Sequence, residues 1–482
     1  MYGGKHRMIS EKWETVIGLE IHAQLKTETK LFSPDSAVFS AGENNHIHPV
    51  SLGFPGVLPV LNKQAVVFAL RAGRAFEGRI QEQSVFARKN YFYPDLPKGY
   101  QISQYDKPYC EGGVVRYHFE GAVQEVRLER IHMEEDAGRS LHRGSATLIN
   151  FNRSGTPLLE IVTRPDLREP AAAAACVRAI RRVLRYLEIC DGNLEEGSLR
   201  CDCNISLRLL GEKTLGTKVE LKNLNSFRFI EKALQYEKER QARLLNGEKS
   251  ILQETRLYDS VKNQTFPMRS KETASDYRYF PDPDLLPLNV SDLLNQMEPL
   301  PPLPFQKFEK FKQVYGLKDR QIEVLVEDKA LCEYFEELAE HSGNPQASCH
   351  WITGEVQARL NETGQTINEI PISIENLSKL IKLVSTEVIS IKIAKEVFAL
   401  MWETGQTSEY IIEEKGFKQI SDEKELRSIV RKILETYPKQ VTDYREGRTK
   451  LFGFFTGQVM KATKGQAHPV KLSQILKEEL ET

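Results

Sequence analysis

No stretch of this chain approaches the roughly 20 consecutive apolar residues that a membrane-spanning helix needs. The polar opening from Met1 to Glu14 also lacks the apolar core of a secretion signal. The expectation is a cytoplasmic protein with no membrane association. Cysteine is scarce, at seven in 482 residues (110, 176, 190, 201, 203, 332 and 349), an odd number with no CxxC pair. That pattern argues against a disulfide framework and a zinc ribbon and leaves reduced thiols as the expectation. Excess charge of one sign is lacking too, since 66 Lys and Arg meet 67 Asp and Glu. Any nucleic-acid footprint must therefore be local, and one candidate exists: from Lys439 to Lys477, 8 basic residues stand against 2 acidic ones. HExxH, GxSxG and a Gly/Ser-rich amidase loop are all missing, so no hydrolytic nucleophile is evident. Gly211 to Lys218 only superficially resembles a P-loop, because Thr217 precedes Lys218 and no helix is expected after it.

What is present divides near residue 295. From Trp13 to about Leu288, short β-like runs (Thr15 to Leu25, Val123 to Met133, Ala146 to Asn150, Leu158 to Thr163, Asn204 to Leu210, Lys218 to Leu221) alternate with turn formers. Two helices interrupt them, one opening at Glu169-Pro170 and one over about Ile230 to Leu245. The proline run from Glu298 to Pro304 suits a stiff connector, and beyond it helical patterns dominate, with a break at Thr404 to Ser408. The fold class expected is α+β: a large sheet-based domain over 1–294, then all-α domains over 295–407 and 408–482.

Strict alternation in Thr15 to Leu25 puts Ile17, Leu19, Ile21 and Leu25 on one strand face and Glu20, His22 and Gln24 on the other. Alone, that is an ordinary solvated face or a hard-cation site. Glu134-Glu135-Asp136 after Ile131-His-Met, and Glu160 inside an apolar strand, are costly to bury unless something cationic compensates them. Magnesium would, since it takes oxygen ligands and is shared with substrate phosphates; an arginine such as Arg153 or Arg164 would do so as well. Arg88 to Gln104 interleaves Lys89 and Lys98 with Tyr91, Phe92, Tyr93 and Tyr100, which suits a single-stranded nucleic-acid end or a nucleotide base, or else a proline-stiffened loop with its rings in the core. Arg200, Asp202, Asn204, Lys222, Asn223 and Asn225 flank β-like runs where they serve phosphate and carbonyl contacts or turn chemistry. Arg178, Arg181, Arg182 and Arg185 form a stripe that faces RNA or solvent.

Together these residues resemble the B subunit of the heterotrimeric Asp/Glu-tRNA amidotransferases. The motifs are Gly18 to His22, Ser51 to Pro59, Arg88 to Gln104, His132 to Gly138, Ser198 to Asn204, Lys222 to Ser226, Asp276 to Pro283 and Gly457 to Gly465, in family order over nearly the whole chain. The interval from Pro304 to Ser408 is too short for the insertion carried by the family's archaeal relative, the E subunit of a two-subunit enzyme, which favours the B subunit. The resemblance implies a cradle-shaped catalytic domain, a helical domain and a YqeY-like tail. It implies an ATP- and Mg²⁺-dependent ligase that phosphorylates the side-chain carboxylate of Glu or Asp misacylated on tRNA(Gln) or tRNA(Asn). Ammonia from a separate glutaminase, the A subunit, then displaces phosphate, and a small C subunit holds the two together. A non-catalytic tRNA-binding scaffold is the alternative. By motif position, His22, Glu135 and Glu160 are the implied metal ligands, with Glu20 beside them as a fourth catalytic residue. Lys89, Lys98, Arg200, Asp202, Asn204, Lys222, Asn223 and Asn225 are implied contacts for ATP or the tRNA 3′ end. Lys450, Lys461 and Lys464 are expected to grip the tRNA body. Two departures from the family pattern are Cys203, making Cys201-Asp-Cys203, and His468 in place of Asn.

Overall fold

The alternation read in the first apolar run becomes a long strand, β1 (Trp13–Gln24), at the centre of a ten-stranded sheet. The computed structural model describes residues 12–39, 42–268, 277–417, 423–463 and 466–481. Four more strands build the heart of the sheet: β2 (Ala122–Glu135), β3 (Pro157–Thr163), β4 (Leu199–Leu209) and β5 (Val219–Lys222). Their spatial order is β5-β4-β1-β3-β2, all antiparallel. Two helices cover one face. The first, α1 (Pro170–Tyr186), begins with proline at a position whose N–H has no helical partner. The second, α2 (Phe227–Asn246), is capped by the Ser226 hydroxyl, which accepts from the Phe229 N–H.

Alternation sends the apolar residues of every central strand to the helix side. Ile17, Leu19 and Ile21 of β1 meet Ile131, Met133, Leu159, Ile161, Leu199 and Ile205 in one core with Val177, Ile180 and Leu184 of α1 and Ile230 and Leu234 of α2. Each such aliphatic side chain contributes about 1.5–3 kcal/mol by leaving water. The opposite face carries the polar residues, and the site lies there. A separate three-stranded sheet, Phe280–Pro281 against Ala87–Asn90 against Tyr100–Ser103, holds the Lys- and Tyr-rich segment in place.

The chain forms two compact units, Met1–Glu309 and Lys310–Thr482. The first runs on past residue 294 because Leu300 and Leu303 of the proline run pack on its core and His118 stacks with Phe305 and Phe308. The second unit is helical among its described residues. Side chains of Asp328, Ser373 and Ser390 cap three of its helices, and Gly343 and Gly405 end two of them in the left-handed conformation. Near the C-terminus, Leu426, Val430, Phe455, Val459, Leu472, Ile475 and Leu476 form a core of their own. His468 does what an Asn does before a helix, its Nδ1 accepting from the Lys471 N–H (3.3 Å), while its Nε2 meets Glu387 at 2.9 Å. No described helix is long and apolar enough to cross a membrane.

Candidate active site

Register aligns the polar residues. His22 lies opposite Glu160, Glu160 opposite His132, and Glu134 is one same-face step beyond His132 on β2. Cross-strand partners share a face, so three neighbouring strands deliver two imidazoles and two carboxylates to one spot. His22 Nε2 is 3.6 Å from both Glu134 Oε1 and Glu160 Oε2, and His132 Nε2 is 3.1 Å from Glu160 Oε2. One ligand atom each from His22, Glu134 and Glu160 falls within 4.8 Å of the others. An imidazole with two carboxylates, leaving further positions to water and substrate, is a donor set that a hard divalent cation accepts.

The electrostatics ask for positive charge. Burial of Glu134 raises its pKa, and the nearby Glu160 charge adds to that. Burial also opposes ionisation of Glu160, but His132 and His22 outweigh it and hold its carboxyl well below the usual range. For His22, burial favours the neutral ring, yet Glu160 and Glu134 prevail and raise its pKa to about 9. Glu20, one same-face step along β1, is raised by burial and by Glu160 while accepting from Asn204 Nδ2 at 2.9 Å.

Glu135 is not in this cluster, which corrects the implied ligand set. Strand phase sends its neighbour Glu134 to the polar face. Glu135 itself forms an ion pair with Lys98 and accepts from the Ile102 N–H at 2.9 Å. His132 and Glu134 were missed: alternation sets them on one strand face and Ile131, Met133 and Glu135 on the other, but the pairing with β3 decides which face meets Glu160. Neither arginine weighed for Glu160 reaches it. Arg153 donates to the carbonyls of Ala137 and Gly138, and Arg164 pairs with Glu129. Cys201 and Cys203 are buried on the core side with their sulfurs 3.9 Å apart, away from the metal-type donors. The arginine stripe is neither free nor solvated throughout, since Arg178 and Arg181 lie over the Phe227 ring at 4.9 and 5.9 Å and Arg182 is buried.

A cavity of about 420 Å³ opens beside the cluster, lined by His22, Glu134, Lys89, Tyr91, Asp136, Arg200, Asp202, Lys222, Asn223 and Asn225. Most of its charges are already paired: Arg200 with Asp136 at 2.9 Å, and Lys222 with Asp202 and with Glu220. Asn223 occupies a left-handed turn position (φ 68°) and donates to the Tyr258 carbonyl, so turn chemistry accounts for its amide. Lys98 and Asn204 are engaged by Glu135 and Glu20 and do not line this cavity. Further along β1 a second cavity, about 370 Å³, sits over Gly18 between Val16, Val162, Pro165 and Leu215, with Glu20 and Asn204 at its edge. It lies where the β2–β3 ladder shifts register at Val162/Thr163 and the Leu19 N–H turns to the Thr163 hydroxyl. Lys450 and Lys461 are exposed at either end of the helix Leu451–Ala462, whereas Lys464 lies outside the described residues.

The comparisons with known proteins agree with this architecture. A family model described as "GatB/GatE catalytic domain" matches residues 15–296, which include every residue of the cluster, and one described as "GatB domain" matches residues 333–480. The chain belongs to the GatB/GatE family. Similar relatives are named as the B subunit of aspartyl/glutamyl-tRNA(Asn/Gln) amidotransferase. The one from Bdellovibrio bacteriovorus is 50% identical over 98% of this chain and 100% of its own length. Those from Thermodesulfovibrio yellowstonii and Persephonella marina are 49% and 48% identical, over 96% and 97% of this chain and 98% and 99% of theirs.

Proposed function

We propose that this chain is the catalytic B subunit of a cytoplasmic tRNA-dependent amidotransferase. In this reading it uses ATP to phosphorylate the side-chain carboxylate of Glu or Asp misacylated on tRNA(Gln) or tRNA(Asn), and exchanges the phosphate for ammonia. The observation that carries it is the His22–Glu134–Glu160 cluster beside a cavity that Lys89, Arg200 and Lys222 help to line. The names of the relatives support the tRNA and the amide product. Partners in this reading are a glutaminase, the A subunit, and a small C subunit. Residues 310–482 divide at about 408 into a helical domain and a tail that grips the tRNA body; the separate core from Leu426 onward supports a distinct tail.

His22, Glu134 and Glu160 would hold Mg²⁺, whose chemistry is to screen the phosphates of ATP from the incoming carboxylate. His132 orients Glu160 through its 3.1 Å contact. Lys89, Arg200 and Lys222 line the cavity as cations for the phosphates and the carboxylate; the ion pairs to Asp136 and Asp202 fix the latter two in place beforehand. The apolar slot over Gly18 suits the nucleotide base, with Asn204 and Glu20 between it and the cluster. Burial of the cluster keeps water from an acyl phosphate.

The test is to purify the chain with its partners and assay ATP cleavage and amide formation on misacylated tRNA, with and without Glu134→Gln. Loss of both activities with tRNA binding retained is expected. Wild-type turnover by the variant at limiting Mg²⁺ would make the chain a tRNA-binding scaffold.

A further inference from the structure

The segment that opens the helix Pro469–Glu481 is held from two sides. Ala467 is buried in the core that Leu426, Phe455 and Leu472 form near the C-terminus. His468, buried beside it, reaches Glu387, in the turn between the helices Ile374–Ser385 and Ile391–Thr404, with 2.9 Å from Nε2 to Oε2. Gln466 Nε2 donates to the Gly416 carbonyl at 2.6 Å, just past the helix Ser408–Lys415. That helix packs on the same two helices that flank Glu387. Residues 466–468 thus join the tail's core to the helical domain.

Helix capping alone does not account for this pair. Ser, Thr, Asp and Asn are the usual caps, and histidine is not among them. His468 Nδ1 accepts from the Lys471 N–H at 3.3 Å, which an Asn oxygen would do from the same place in its side chain. What the ring adds is a second nitrogen, further out. Because Nδ1 accepts, the neutral ring carries its proton on Nε2 and donates it to Glu387. Glu387 holds a left-handed backbone (φ 58°), which glycine or asparagine adopts with less strain. Strain of this kind persists where the residue serves a purpose, and a glycine here would delete the carboxylate. We infer that His468 and Glu387 form a latch that fixes the tail's orientation on the helical domain. The Glu387 side chain is 65% exposed, so the latch is weak enough to open and close and acts by setting a population. Its consequence for RNA rests on the reading of the tail as a grip on tRNA: a tail already held in one orientation loses less freedom on binding.

The experiment uses the full chain with spin labels on Lys392→Cys and Lys477→Cys, exposed positions on the helical domain and the tail. The native cysteines are all buried, so the labels go to the introduced ones. The chain with His468 and Glu387 intact should give one narrow distance distribution. His468→Asn, which keeps the cap and loses the reach, and Glu387→Ala should each raise the undocked population about threefold. Combining them should raise it no further than either alone. Glu387→Gly should behave like Glu387→Ala although its backbone is relaxed. Unchanged distributions in His468→Asn and Glu387→Ala would overturn the latch, as would additive effects in the double variant or a narrow distribution in Glu387→Gly. If His468→Asn does not fold, the two variants of the exposed Glu387 decide the matter by the same criteria. In the assembled complex these substitutions should also weaken tRNA binding about threefold. Broadened distances with unchanged tRNA affinity would leave the latch standing and remove the tail from the tRNA-binding surface.

Discussion

Replacing Glu160 by Gln removes the carboxylate on which both histidines converge while keeping the side chain's size. His22 reports the change. Its burial alone favours the neutral ring, but the close approach of Glu160 and the charge of Glu134 raise its pKa from 6.5 to about 9. At about 1.4 kcal/mol per unit, the folded protein prefers the charged ring by about 3 kcal/mol. A group with a raised folded pKa stabilises the fold fully below its unfolded value, near 6.5, and that contribution is lost as pH rises through about 9. With divalent cations chelated, wild type should therefore exceed Glu160→Gln in stability most at about pH 6. The gap should narrow by about 1–2 kcal/mol toward pH 9.5, because Glu134 retains part of the interaction. Urea denaturation of both proteins at each pH measures this, since titrations common to the two cancel in the difference. A gap that stays constant or widens with pH would refute the argument that Glu160 carries the ring's charge.

Glu135→Gln should act on stability instead, because it leaves the buried Lys98 ammonium without its carboxylate, at a cost of about 3 kcal/mol. A loss below about 1 kcal/mol in denaturant titration would contradict that pairing. Burial pushes the thiols of Cys110 and Cys190 up to about 12 and that of Cys349 up to about 11. Since all seven cysteines are buried, a thiol reagent at about pH 8 should modify none in the native chain and all of them in denaturant. Rapid native labelling of any would show an exposure absent from this fold. Deleting residues 408–482 should weaken tRNA binding and flatten its salt dependence, with glutaminase coupling intact at saturating tRNA. Equal affinity across salt concentrations would make the tail a stability or assembly element.

Much was legible from local pattern. Period-two alternation located β1 and the polar set of Glu20 and His22. Proline and apolar spacing located α1, and the lone acid in an apolar run singled out Glu160. These are properties of one segment at a time, set by strand and helix periods. Tertiary structure decided what depends on segments far apart in sequence. Whether Glu134 or Glu135 joins the cluster follows from the phase of β2 against β3, and whether Glu160 meets an arginine or a histidine follows from which strands are neighbours. Tyr277 and Tyr279 meet Tyr91 and Tyr105 only because strand pairing brings these distant segments together. Composition marked the proline run as a connector, yet apolar burial of Leu300 and Leu303 binds it to the first unit. A strand's period says which side a residue faces; what stands on that side is set by long-range pairing and the packing that selects it.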